Sequence, residues 1–141
     1  LSSRISLPSG QIRFSFESMD SPQSYGIFFY APTEVPESKR YQVLEYLSRI
    51  NYLIPMGHFE MNFDDGTVRF GHAQYKSAQT LEMEELLTLM RNGLDRMETF
   101  LPGMLRIIHG GIHPVAALAE VEAKAGYDPL HAGRYQSHRI N

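Results

Sequence analysis

Apolar and polar residues alternate from Gln11 to Glu17, with Ile12, Phe14 and Phe16 on one side and Arg13 and Ser15 on the other. That pattern predicts a half-buried strand. Residues 18–24 (SMDSPQS) carry turn chemistry, and Tyr25–Ala31 reads as a second strand. This one is apolar on both faces: Tyr25, Ile27 and Phe29 point one way, Phe28 and Tyr30 the other. Such a strand either lies between two layers or is covered by something outside the pattern, an N-terminal helix or another chain. Pro32 stops it. Pro36 and Glu37 open a helix, and Val43, Leu44, Leu47 and Ile50 follow at helical spacing until Pro55 and Gly57 break it.

Residues 58–75 predict a hairpin. Phe59, Met61 and Phe63 alternate, Asp65-Gly66 supplies a two-residue turn, and Val68 and Phe70 resume the same face. That turn sets Phe63 against Val68, Met61 against Phe70 and Phe59 against His72, with Asn62 and Arg69 on the opposite face. Thr80 is placed to cap the next helix, with Glu82, Glu84 and Glu85 at its positive end. Leu86, Leu87, Met90, Leu94, Met97 and Leu101 form its apolar stripe, and Pro102-Gly103 kinks or ends it. A last helix starts at Pro114, carries Val115, Leu118 and Val121, and stops at Gly126. Residues 127–141 show no period and read as a tail. The order strand–strand–helix–hairpin–helix–helix predicts an α+β domain, an antiparallel sheet with helices on one face.

With 141 residues, the chain fits one domain, set here at 1–126 with the tail at 127–141. Apolar residues at 43% and charged residues at 21% are globular values, so a real core is affordable at this size. Net charge of −3 argues against nucleic acid bound by bulk charge. The absence of cysteine removes disulfides, thiol nucleophiles and cysteine-ligated metals. No run of about 18 apolar residues is present to cross a membrane. Residues 1–9 lack the charged start and apolar block of a signal peptide, so a cytoplasmic protein is expected.

Chemistry-bearing groups are sparse. His109 and His113 share a four-residue spacing, but Gly110-Gly111 lies between them and Pro114 follows, which breaks the helix that would align them. With a tail histidine (His131 or His138), they would make a metal- or small-ligand-binding sensor, the alternative reading. His58 and His72 lie close across the hairpin and point to opposite faces. Asp64-Asp65 is a hairpin turn and lacks the alternating oxygens of a calcium loop. No serine elbow or phosphate-cradling glycine motif occurs. No catalytic residue, cofactor or metal site is therefore assigned. Lysine is confined to Lys39, Lys76 and Lys124, and the remaining cations are arginines. Arginine stacks on aromatics and favours protein contacts. Met83, Met90, Met97 and Met104 fall at steps of seven, either filling a core or lining a seam with a second subunit. Phe28, Tyr30, Met90 and Met97 are the candidate protein-binding residues.

Several short motifs point one way together. Val35-Pro36-Glu37 through Arg40, Leu44 to Ile50 with Asn51-Tyr52, Met56 to Met61, Asp65-Gly66 and Val68-Arg69-Phe70 resemble the YbjN-domain family. Asp95-Arg96-Met97, Phe100 to Met104 and Gly110-Gly111 resemble its closing helix, so the likeness runs over about 25–122. The resemblance implies a fold like that of type III secretion chaperones: helix, three strands, helix, two strands, helix. Such chaperones are small, acidic, dimeric and non-catalytic, and bind extended segments of other proteins. The family carries the label of a sensory-transduction regulator and has no defined catalytic residues to transfer. Its first helix and part of a strand have no counterpart here and are expected before Leu1 or around Leu7. The resulting expectation is a non-enzymatic, homodimeric regulator or chaperone-like adaptor with a protein client.

Overall fold

The computed structural model describes residues 1–126; the predicted tail, with His131 and His138, lies outside them. Three strands come first: β1 (Ser2–Leu7), β2 (Gly10–Asp20) and β3 (Gln23–Tyr30). A tight turn at 37–39 leads into α1 (Arg40–Leu53). Next come β4 (His58–Met61), β5 (Val68–Gln74), α2 (Met83–Gly110) and α3 (Pro114–Ala125). The five strands form one antiparallel sheet in the order β1-β2-β3-β5-β4, and the helices pack on one face of it.

β1 carries no pattern in the sequence that announces a strand. Its burial is slight and its alternation of serines with Arg4, Ile5 and Leu7 is faint, so the pairing with β2 is what makes it a strand. β2 and β3 also run further into the expected turn than predicted, meeting at Asp20 and Gln23. β3 is the central strand of the sheet: Tyr25, Ile27 and Phe29 are buried on its helix side, and Phe28 and Tyr30 lie half-buried on the other.

The hairpin register differs from expectation by two residues. Phe59 faces Phe70 and Met61 faces Val68. Asn62 and Thr67 close a four-residue loop in place of the two-residue turn, through an Asn62 N–H to Thr67 O bond of 2.8 Å. The side chains of Asn62 and Asp65 hold that loop by accepting from the N–H groups of Asp64 and Thr67. A shift of two keeps every side chain on its predicted face. Only Phe63 changes role, leaving the sheet to meet the Tyr41 ring edge-on at 5.1 Å.

Gly66 in this loop has φ of +81°, and a β-carbon there would lie 2.2 Å from Val35 O. The close approach lets Val35 N–H donate to Gly66 O at 2.8 Å. Arg40 fastens the same junction, donating to the carbonyls of Val35, Phe63 and Asp64.

The core lies between sheet and helices: Ile12, Ile27, Phe29, Val68 and Phe70 below, Val43, Tyr46, Ile50, Met97, Met104 and Ile107 above. Thr80 does not cap α2; it sits in a short turn bonded to Ser77 O, and the helix starts after Glu82. Pro102 does not end α2, which runs unbroken for 28 residues. A proline inside a helix costs about 3 kcal/mol. Burial of Phe100, Leu101, Met104 and Ile107 around it offsets that cost, at about 1.5–3 kcal/mol for each large side chain. Tyr46 adds a buried hydroxyl bond to Phe100 O at 2.7 Å. Gly126, as predicted, ends α3 in the left-handed region, at φ of +66°.

Candidate functional site

The sheet face turned away from the helices carries the most distinctive arrangement in the molecule. Strand pairing lines up Arg4, Arg13, Tyr30, Arg69 and Glu60 as one row crossing β1, β2, β3, β5 and β4. The next row is Ser2, Ser15, Phe28, Gly71 and His58.

Two glycines shape this face. A β-carbon at Gly26 would come within 2.6 Å of the Phe28 ring, and one at Gly71 within 2.8 Å. The ring therefore lies flat across both positions instead of standing in solvent. Arg69 covers it, its guanidinium carbon 4.1 Å from the ring centroid. Tyr30 sits between two cations, with Arg13 at 3.6 Å and Arg69 at 5.9 Å from its centroid. Each such stack contributes about 0.5–1 kcal/mol when exposed. Glu60 pairs with Arg69 and anchors the row at its β4 end.

Burial raises the Tyr30 hydroxyl pKa, but hydrogen bonds from Ser15 and Arg69 and the Arg69 charge outweigh it. The net position is below the ordinary tyrosine value. Three shallow depressions surround the row. One of about 270 Å³ lies beside Phe28, with Met19, Gly26 and Tyr75 at its rim. One of about 350 Å³ lies between Tyr30, Glu60 and Arg69, and one of about 410 Å³ between Arg4, Arg13, Tyr30 and Glu34.

The four candidate protein-binding residues are not brought together. Phe28 and Tyr30 share the open face, half-buried under arginine. Met97 is 1% exposed in the core on the other side, and Met90 is half-buried there. The heptad of methionines runs from the exposed Met83 into the buried Met97 and Met104, so it crosses from surface to core instead of forming one seam.

The histidines do not converge. His109 lies in the last turn of α2, and His113 caps α3, its Nδ1 accepting from Val115 N–H at 3.2 Å. Among the described residues, no three His, Asp or Glu side chains gather as a metal site would need. A second polar cluster joins the start of α2 to the sheet. Tyr25 Oη lies 3.1 Å from Gln74 Oε1 and 3.2 Å from Glu85 Oε1, and Lys76 Nζ donates to Glu85 at 2.7 Å. It fastens α2 to the sheet, and Tyr25 and Gln74 also line the depression beside Phe28.

Sequence reasoning placed Arg13 and Arg69 on the solvent side of their strands but did not join them to Tyr30. The missing piece was register between β2, β3 and β5, which are distant in sequence. The signal available was the excess of arginine over lysine opposite a two-faced aromatic strand.

The family model for YbjN, described as "Putative bacterial sensory transduction regulator", matches residues 2–106. The chain belongs to the YbjN family. The match begins with β1, so the three-strand start is part of the YbjN domain, and it ends inside α2. No curated protein and no solved structure matches the chain. Within the matched span, Val35, Arg40 and Gly66 clasp the hairpin loop, and the Asn51 amide holds Phe59. No described helix is long and apolar enough to cross a membrane.

Proposed function

We propose that this YbjN protein is a non-enzymatic regulator that works by binding other proteins through the open face of its sheet. The observation that carries this is the row Arg13–Tyr30–Arg69 with Phe28 beneath it, aromatic area shielded by side chains and not by a helix. Arginine and tyrosine are among the residues enriched at the anchoring points of protein interfaces. The Arg13 guanidinium, stacked on Tyr30 with no ion-pair partner among the described residues, is free to pair with a partner's carboxylate, while Arg69 would exchange Glu60 for one. Self-association into a homodimer and a protein client in the cytoplasm belong to the same proposal.

A pull-down of the tagged protein with mass spectrometry, and light scattering on the eluate, tests it. The expected result is a stoichiometric partner or second copy that is lost when Phe28 and Tyr30 are both changed to serine. A strictly monomeric protein that captures nothing, or capture indifferent to those changes, overturns it.

A further inference from the structure

The two rims of the sheet are finished differently. β4 closes one side with four residues, and Asn51 of α1 occupies its outer edge: Nδ2 donates to Phe59 O at 2.8 Å and Oδ1 accepts from Phe59 N–H at 2.7 Å. An unpaired edge invites another strand, and here an amide takes that strand's place. On the other side, β1 pairs with β2 alone among the described residues. Leu1 exchanges both backbone bonds with Phe16. Alternation along an antiparallel pair then turns the N–H and C=O groups of Ser2, Arg4 and Ser6 outward. All three residues are exposed, and the register with β2 runs without a bulge or proline.

Charge selects what this rim accepts. Arg4 lies directly opposite Arg13, and among the described residues neither has an ion-pair partner. Like charges facing each other weaken a sheet. A second copy of β1, added antiparallel with the sheet faces matched, would bring two more arginines to the same place. An acidic strand would relieve the repulsion. On the helix side of the sheet, Leu7 is half-buried against the core and Ile5, half-buried, lies opposite the buried Ile12, so both offer apolar neighbours.

We propose that the outer rim of β1 is a strand-addition site for an extended partner segment that alternates acidic and apolar residues. Its acidic side chains lie on the Arg4–Arg13 side, where the depression of about 410 Å³ opens, and its apolar ones beside Ile5 and Leu7. The assignment rests on the protein-binding reading above and gives it a partner chemistry.

The test is fluorescence anisotropy with two labelled peptides, one of alternating Glu and Val and one of alternating Lys and Val. The Glu–Val peptide should bind at least about tenfold more tightly, equivalent to 1.4 kcal/mol. Arg4→Glu should reverse the preference. Ser6→Pro, which removes an outward donor and no bond to β2, should weaken binding about tenfold. Circular dichroism checks that each variant folds, and the charge reversal stands alone if Ser6→Pro does not. Equal or absent binding of the two peptides, insensitivity to Arg4→Glu, or tighter binding of a single-stranded oligothymidine overturns the site. A captured partner lost with Phe28 and Tyr30 but retained by Arg4→Glu overturns the rim and leaves the protein-binding reading standing. No captured partner together with no peptide binding removes both.

Discussion

Both faces of the sheet lay aromatic rings over glycine, and they finish the job with different materials. On the covered face, α2 approaches so closely that a β-carbon at Gly93 would lie 2.0 Å from the Phe29 ring, and the same helix meets α1 as closely, a β-carbon at Gly103 lying 2.1 Å from Tyr46 Oη. Helix backbone seals those rings. On the open face, Phe28 lies over Gly26 and Gly71 and is sealed by one guanidinium. Backbone cannot leave without unfolding the helix, whereas a side chain can rotate away in nanoseconds or less. The same packing device is permanent on one side and exchangeable on the other, which is what a stable scaffold with a binding face requires.

Alanine at the two kinds of glycine breaks or upholds that comparison. Gly93→Ala should destabilise by about 3 kcal/mol, because Phe29 and the helix have nowhere to move and overpacking a core costs that much. Helix propensity favours alanine by about 1 kcal/mol, so a stabilised variant would refute the close approach. Urea unfolding followed by circular dichroism reads the result.

The two rims give the next largest effect. Asn51→Ala removes both bonds that hold Phe59 and should cost about 2 kcal/mol, about 1 for each bond. It also bares the β4 edge, so light scattering should show new self-association. Asn51→Asp keeps the acceptor and loses the donor, and should fall between wild type and alanine. If both variants are as stable and monodisperse as the parent, the amide does not guard that edge.

How far the chain could be read before folding depends on how local each signal was. The predicted helices and hairpin carried strong periods or turn residues, and each was found near its expected place. β1 carried neither, and exists because β2 offers it a partner. The hairpin turn was misjudged by two residues because Asp65-Gly66 suits a tight turn. The loop is instead drawn open by contacts from far away, Val35 and Arg40, that no local pattern contains. The same physics hid the site. Phe28 and Tyr30 were visible as an apolar face without a cover, while Arg13 and Arg69 became their cover only once three strands were in register. Pro102 shows the opposite case: its local penalty was real, and burial on both sides of it kept the helix from ending there.

Gly71→Ala should then cost about 1 kcal/mol or less, since the displaced group is the Phe28 ring, free to lift toward solvent. Partner binding should change more than stability, because the ring that lifts is part of the proposed contact face. A cost equal to that of Gly93→Ala would mean the open face is as rigid as the covered one.

The smallest effect comes from two histidines on either side of the hairpin. His72 lies opposite Ile27 on the helix side and His58 opposite Gly71 on the open side. Burial, followed by the charge of His58, holds the His72 pKa below its ordinary 6.5, and Glu85 opposes both weakly. A folded-state value below the unfolded one means that the unfolded chain takes up the proton first. The His72 contribution is thus complete above pH 6.5 and is lost as pH falls through the lower folded value. His72 is only partly buried, so solvent screening keeps the loss under about 1 kcal/mol. Urea midpoints measured from about pH 7 to 5 should decline in the wild type and flatten in His72→Gln. The decline should be shallower in His58→Gln, which removes the repulsion and leaves the burial. An identical slope in all three proteins would place the acid sensitivity elsewhere, in the carboxylates of Asp65 and Glu85 that the fold also holds below their ordinary values.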